Sequence, residues 1–176
     1  MAFDSVADKG SAYQAGSAAL FIAAASILTA LGFQYIGGYQ PCMLCLWERY
    51  AYYAALPVLF AAIALSSGGS KGWAAALFFL VTLAFLANAG LGTYHAGAEW
   101  KFWPGPVSCG GGGDLTTSAG SLLKDLEGIR VVKCDEPALV FLGLSFAGWN
   151  VVGSLLLMAL SLKAAFAAAA ASRSEA

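Results

Sequence analysis

Four cysteines carry the chemistry that this sequence offers. Two stand in Pro41-Cys42-Met43-Leu44-Cys45, a C-x-x-C pair, and two are widely spaced, Cys109 and Cys134. A C-x-x-C pair closes a small strained disulfide or opens to two thiols, and one thiol of such a pair often has a lowered pKa that makes it a nucleophile near neutral pH. Trp47, Glu48 and Arg49 follow at once, and a cation one helical turn after Cys45 favours its thiolate. Cys109 is preceded by Pro104-Gly105-Pro106-Val107-Ser108, which holds the approach extended. It is followed by Gly110 to Gly113, which makes the next stretch conformationally free. That arrangement suits a cysteine that enters another protein's groove. Four readings of the set remain open on residues alone: a redox relay, two structural disulfides, unpaired cysteines, and a four-cysteine zinc site, the last at odds with a second pair so far apart. A single histidine, His95, excludes a multi-histidine metal centre, so no metal is expected.

The segments that must position these residues are apolar. Of 176 residues, 60% are hydrophobic and 11% charged, with mean hydropathy +0.73, whereas a soluble domain is about 25% charged. Net charge of −1 gives no footprint for nucleic acid. Four stretches without Asp, Glu, Lys or Arg are long enough to cross a bilayer: about 14–35, 50–67, 72–94 and 138–162. Within hydrocarbon such stretches must be helical to satisfy their backbone groups. The expected fold is an all-α integral membrane protein, a single four-helix antiparallel bundle over 1–176. Segment 36–49 joins the first two spans and 95–137 the last two. A short turn, Ser66-Ser67-Gly68-Gly69-Ser70-Lys71, joins the middle pair. Counting spans puts all four cysteines on one side. Lys and Arg divide four (Lys9, Lys71, Lys163, Arg173) against five (Arg49, Lys101, Lys124, Arg130, Lys133), so charge does not orient the chain. The cysteines place their own side outside, since cytosolic thiols are kept reduced.

Smaller features have plain readings. Leu115, Ala119, Leu122, Leu123 and Leu126 recur at helical spacing and predict a short helix between Cys109 and Cys134 that ends at Gly128. Trp100, Trp103 and Trp149 suit an interfacial aromatic belt. Arg49 at the head of the second span is read as supporting the Cys45 thiolate, with Glu48 as its partner or a solvated charge. Pro57 is expected to kink that span, and Ala164–Ala171 to extend the last helix.

Gln40-Pro41-Cys42-Met43-Leu44-Cys45-Leu46-Trp47-Glu48-Arg49-Tyr50 resembles the signature of the disulfide bond formation protein B (DsbB) family. The proline-rich approach to Cys109, the run from Cys134 through Phe141-Leu142-Gly143-Leu144-Ser145 to Trp149, and the four-span layout are similar as well; the Gly110–Val132 stretch departs from it. The resemblance implies a quinone-dependent protein-dithiol oxidoreductase of the bacterial inner membrane with both cysteine loops periplasmic. It implies resting disulfides Cys42–Cys45 and Cys109–Cys134. A reduced thioredoxin-fold partner of the DsbA kind attacks at Cys109, Cys134 passes the exchange to Cys42, and Cys45 is released beside ubiquinone or menaquinone. Arg49 and His95 are the implied quinone-binding residues. A vitamin K epoxide reductase type would carry its C-x-x-C late in the chain, and a non-catalytic scaffold would hold two structural disulfides.

Overall fold

The computed structural model describes residues 2–105 and 134–174, with side chains from Gly10 onward. Cys109 and the leucine-patterned segment after it lie outside the described residues. The described chain forms four helices, α1 (Ala2–Tyr35), α2 (Met43–Ser67), α3 (Lys71–Glu99) and α4 (Phe146–Arg173), and a small hairpin, β1 (Val140–Phe141) and β2 (Leu144–Ser145). All four helices are long and apolar enough to cross a membrane. The chain is therefore an all-α, four-helix membrane protein.

The helices run past the charge-free stretches. α2 begins seven residues before Tyr50 and takes in Cys45, Glu48 and Arg49. α3 continues through His95 to Glu99. Its 29 residues span about 43 Å at 1.5 Å per residue, more than the roughly 30 Å of hydrocarbon in a bilayer. α3 is therefore long enough to cross a bilayer with about two turns to spare. α4 starts later than the apolar run suggests: residues 138–145 form the hairpin instead. Its two-residue turn, Leu142-Gly143, has φ of 53° and 82°, the left-handed pair that a tight hairpin turn requires. The Ala-rich tail continues α4 to Arg173, as expected.

α1 and α3 occupy one diagonal of the bundle and α2 and α4 the other, with α2 and α4 barely touching. The interior is built from small residues at helical spacing. Ala12, Ala15, Ala19, Ala23 and Ile27 of α1 meet Ala55, Leu59 and Ala62 of α2, Ala74, Phe78 and Phe85 of α3, and Leu157 and Ala164 of α4. Large apolar residues such as Phe21, Leu28, Phe60, Trp73 and Phe166 point outward. This inverts the soluble pattern, because lipid accepts bulky side chains and close backbone approach drives association within it. Three helices are also tied by hydrogen bonds across the core. Tyr52 Oη donates to Asn150 Oδ1 (2.9 Å), and Asn88 Nδ2 donates to Ser154 Oγ (3.0 Å).

Gly16 tests the packing. A Cβ there would lie 2.7 Å from Cζ of Phe78, whose own side chain is fully buried and has nowhere to go. Gly16→Leu should destabilise the bundle by about 1–3 kcal/mol through overpacking. Thermal unfolding in detergent is the check, with Phe21→Leu on the lipid face as the variant expected to show little change.

Candidate functional site

Cys42 is the N-cap of α2. Its backbone is extended (φ −75°, ψ 172°), and its Sγ accepts a hydrogen bond from Cys45 N at 3.3 Å. The sulfur thus takes the place of the oxygen that usually satisfies a free N–H in the first helical turn. Cap and third-residue positions share one side of that turn, which brings the Cys42 and Cys45 sulfurs to 2.8 Å as two free thiols. The two sulfurs stand close enough to close the expected disulfide with a small shift.

His95 reaches this pair from the end of α3. Its Nε2 lies 3.5 Å from Cys42 Sγ, and its Nδ1 lies 2.8 Å from Glu48 Oε1. Glu99, one turn further along α3, places Oε1 at 3.8 Å from the same Nε2, and its other oxygen accepts a hydrogen bond from Ser145 Oγ. Ser145 is in turn the N-cap of α4, accepting from Gly148 N at 3.2 Å. His95 is 1% and Glu48 6% exposed. Ionisable groups this deep persist only when paired and hydrogen-bonded. Glu48 is therefore a partner of His95, not of Arg49. Cys42, just outside the helix, is held well below the ordinary thiol range, at about 4. The hydrogen bond from Cys45 is the main cause; burial opposes it, and the hydrogen bond and charge of His95 reinforce it.

Arg49 faces the other way. Its guanidinium donates to Gln34 Oε1 and, at 3.5 Å, to the Ala30 carbonyl, both on α1. It lines a cavity of about 910 Å³ between α1, α2 and α4, together with Cys45, Phe33, Gln34, Phe146 and Trp149. The walls are mostly apolar, and Phe33, Tyr39 and Phe146 pack edge to face at one end. Asn150 also lines the cavity, and its buried Nδ2 has no hydrogen-bond partner. His95 is not among the lining residues; it meets the dithiol through Cys42.

Cys134 completes the described part of the site. It is disulfide-bonded, 2% exposed, and packs in one buried cluster with Cys42 and Leu44, against Cys45 and Leu91. Lys101 anchors the neighbouring backbone by donating from Nζ to the Asp135 carbonyl (2.7 Å) and carboxylate (2.8 Å). The cysteines separated by most of the chain thus converge on the first turn of α2.

The family model described as disulfide bond formation protein DsbB matches residues 14–164. The chain belongs to the DsbB family. No curated protein and no solved structure is a significant match. DsbB membership makes the chain a membrane oxidoreductase of disulfide bond formation, and three of its four cysteines are the ones gathered here. Glu99 and Ser145 were not singled out from sequence. Glu99 is signalled by its spacing, four residues after the lone histidine, which puts both on one face of α3. Ser145 appears in the sequence only as part of the run from Phe141 and not as a partner of Glu99, because that contact joins the ends of two neighbouring helices.

In the dithiol form Cys42 should be thiolate across the neutral range. A lowered pKa keeps the anion above about pH 4, and protonation begins only as pH falls through that value. Far-ultraviolet thiolate absorbance of the reduced protein, in a Cys109→Ser/Cys134→Ser background, should hold steady from pH 8 to pH 5 and drop below. A midpoint in the ordinary range near 8.5 refutes the assignment.

Proposed function

We propose that this DsbB-family chain reoxidises a reduced thioredoxin-fold dithiol protein of the DsbA kind and passes the electrons to a membrane quinone, ubiquinone or menaquinone. Its cysteine end is then on the periplasmic side of the bacterial inner membrane. The observation that carries the reading is the continuity of sulfur. Cys134, in a disulfide, packs on Cys42; Cys42 is hydrogen-bonded to Cys45; Cys45 stands in the wall of an apolar cavity.

The cavity suits a quinone. Its apolar aromatic walls match a ring and a prenyl tail, and Arg49 offers a cation. A bound quinone supplies a sink for two electrons and two protons. The chain's own residues do the rest. The partner's thiolate attacks the Cys109–Cys134 disulfide at Cys109, and Cys134 leaves as a thiolate. Cys134 attacks Cys42 in the closed Cys42–Cys45 pair, and Cys45 leaves as a thiolate at the cavity wall. The partner's second thiolate displaces Cys109 and the partner leaves as its disulfide; Cys109 then attacks Cys134 in the Cys134–Cys42 bond, which returns Cys42 as a thiolate and leaves both electrons on the Cys42/Cys45 pair. His95 Nε2 is positioned to take the proton of Cys42, with Glu48 Oε1 steadying the ring through Nδ1. Arg49 orients the acceptor and stabilises negative charge that develops on it.

Purified protein mixed with reduced thioredoxin-fold partner and quinone should consume quinone in proportion to partner disulfide formed, and Cys42→Ser should abolish this. No quinone loss with an active partner refutes the reading. Arg49→Ala should raise the apparent quinone KM about tenfold or more, the scale of a lost charge-assisted hydrogen bond, and leave the partner KM unchanged. An effect on the partner KM alone moves Arg49 to the exchange step. Cys134→Ser should trap a reductant-sensitive complex between Cys109 and the partner. Peptide mapping that finds Cys42 or Cys45 in the bond overturns the order of transfer. In intact cells, after reduction, a membrane-impermeant thiol reagent should label the Cys109/Cys134 pair; labelling only after lysis reverses the orientation.

A further inference from the structure

We propose that the reduced site is also a zinc site, with Cys42 Sγ, Cys45 Sγ and His95 Nε2 as ligands, and that closing the Cys42–Cys45 disulfide abolishes it. The three donor atoms lie within 4.8 Å of one another. Two thiolates and an imidazole are a donor set that zinc favours, with Zn–S near 2.3 Å and Zn–N near 2.0 Å in a tetrahedron. Those bond lengths require about 3.5 Å between a sulfur and the nitrogen and about 3.8 Å between the sulfurs. Cys42 Sγ and His95 Nε2 are already 3.5 Å apart. The sulfurs, at 2.8 Å, part by about 1 Å on binding the metal.

The surroundings of the histidine are a second, independent observation. A ligating histidine nearly always donates its other ring N–H to a carboxylate or carbonyl, which fixes the tautomer and aims the free nitrogen at the metal. Here Nδ1 lies 2.8 Å from Glu48 Oε1, while Nε2 faces the sulfurs. The carboxylate selects the nitrogen that a metal at the dithiol needs. Glu99 Oε1 lies 3.8 Å from Nε2, outside the group of three donors. Two thiolates balance the dication, so the ion enters a buried site without leaving net charge on the three ligands. No electrons move: zinc displaces two protons, that of the Cys45 thiol and the one Cys42 passes to His95 Nε2. Oxidation removes both thiolate ligands at once. Occupancy is therefore gated by redox state, and zinc holds the reduced pair closed to electron discharge.

The test uses full-length protein in detergent, with Cys109→Ser/Cys134→Ser so that one dithiol remains, and Co(II) as the spectroscopic stand-in for zinc. The reduced protein should bind one Co(II) per chain, with a thiolate-to-cobalt charge-transfer band and tetrahedral d–d bands, and Zn(II) should displace it. The same protein oxidised with diamide should show neither. His95→Ala should weaken zinc at least tenfold in a chelator competition and alter the d–d bands. Glu48→Gln should weaken it about tenfold to a hundredfold, as for other carboxylates behind a ligating histidine. Cys45→Ser, which leaves His95 in place, should lose about half the charge-transfer intensity. Absence of the band in reduced protein overturns the proposal, as does a band that survives oxidation or is indifferent to His95. Metal-free wild-type protein assayed for quinone reduction separates this failure from failure of the electron-transfer reading.

Discussion

A buried sulfur anion has to be held by the protein, because water is not there to solvate it. That constraint falls on Cys42 and organises the site. The N-terminus of α2 supplies one N–H donor to it, Cys45 supplies an S–H, and His95 supplies a ring nitrogen. A helix N-terminus and a neighbouring imidazole are both settings that lower a thiol's pKa. Each helper then needs support. His95 needs Glu48 to fix its ring, Glu99 needs Ser145, and Ser145 is held as the cap of α4. Helices α2, α3 and α4 are joined at one end by this chain of contacts, in addition to the alanine-lined core below.

The bundle separates two environments across a single helical turn. On the α3 side of the first turn of α2 lie the ionisable groups His95 and Glu99. On the α1 and α4 side lies the apolar cavity, with Arg49 bound to Gln34. Cys45 and Glu48 stand between the two, each lining the cavity while touching Cys42 or His95. The electron transfer proposed above needs bulk water kept from the carrier while protons leave the thiols, and the arrangement of α2 suits both needs with one turn of helix. Small residues in the core make this possible, since the helices must approach closely for groups on α2 and α3 to meet at hydrogen-bond distance.

The spans were legible because hydrocarbon imposes a length and a composition, and charge-free runs report both directly. Their ends were not legible for the same reason. Glu48 and Arg49 break the apolar run, so sequence places the start of α2 at Tyr50. The helix accepts both charges because His95 and Gln34, far away in sequence, answer them. His95 and Glu99 hide the true end of α3 in the same way. Residues 138–145 mislead in the opposite sense. They are apolar enough to read as span, but Leu142-Gly143 turns the chain back and leaves Val140, Phe141 and Leu142 at the surface. The C-x-x-C pair and Arg49 were visible as chemistry from their spacing. The partner of Glu48 was not, since an ion pair between helices is a fact of packing.

The division of labour between the two sulfurs follows from where the helix begins. An N-cap residue is extended, and its side chain turns back over the first turn; the residue three places on is already helical and projects from the cylinder. Cys42, in the first position, is directed into the cluster with Cys134 and His95. Cys45, in the second, is directed toward α1 and the cavity. Had α2 begun one residue later, Met43 would cap the helix, the N–H to sulfur bond would be lost, and the two cysteines would no longer share a side of the first turn. Pro41 opposes the other error, since the residue before the cap cannot donate a backbone N–H and has its φ fixed near −65°. The start of one helix therefore decides which sulfur meets Cys134 and which meets the cavity, and the spacing of two residues between the cysteines is the spacing that a helical first turn needs to hold them in contact.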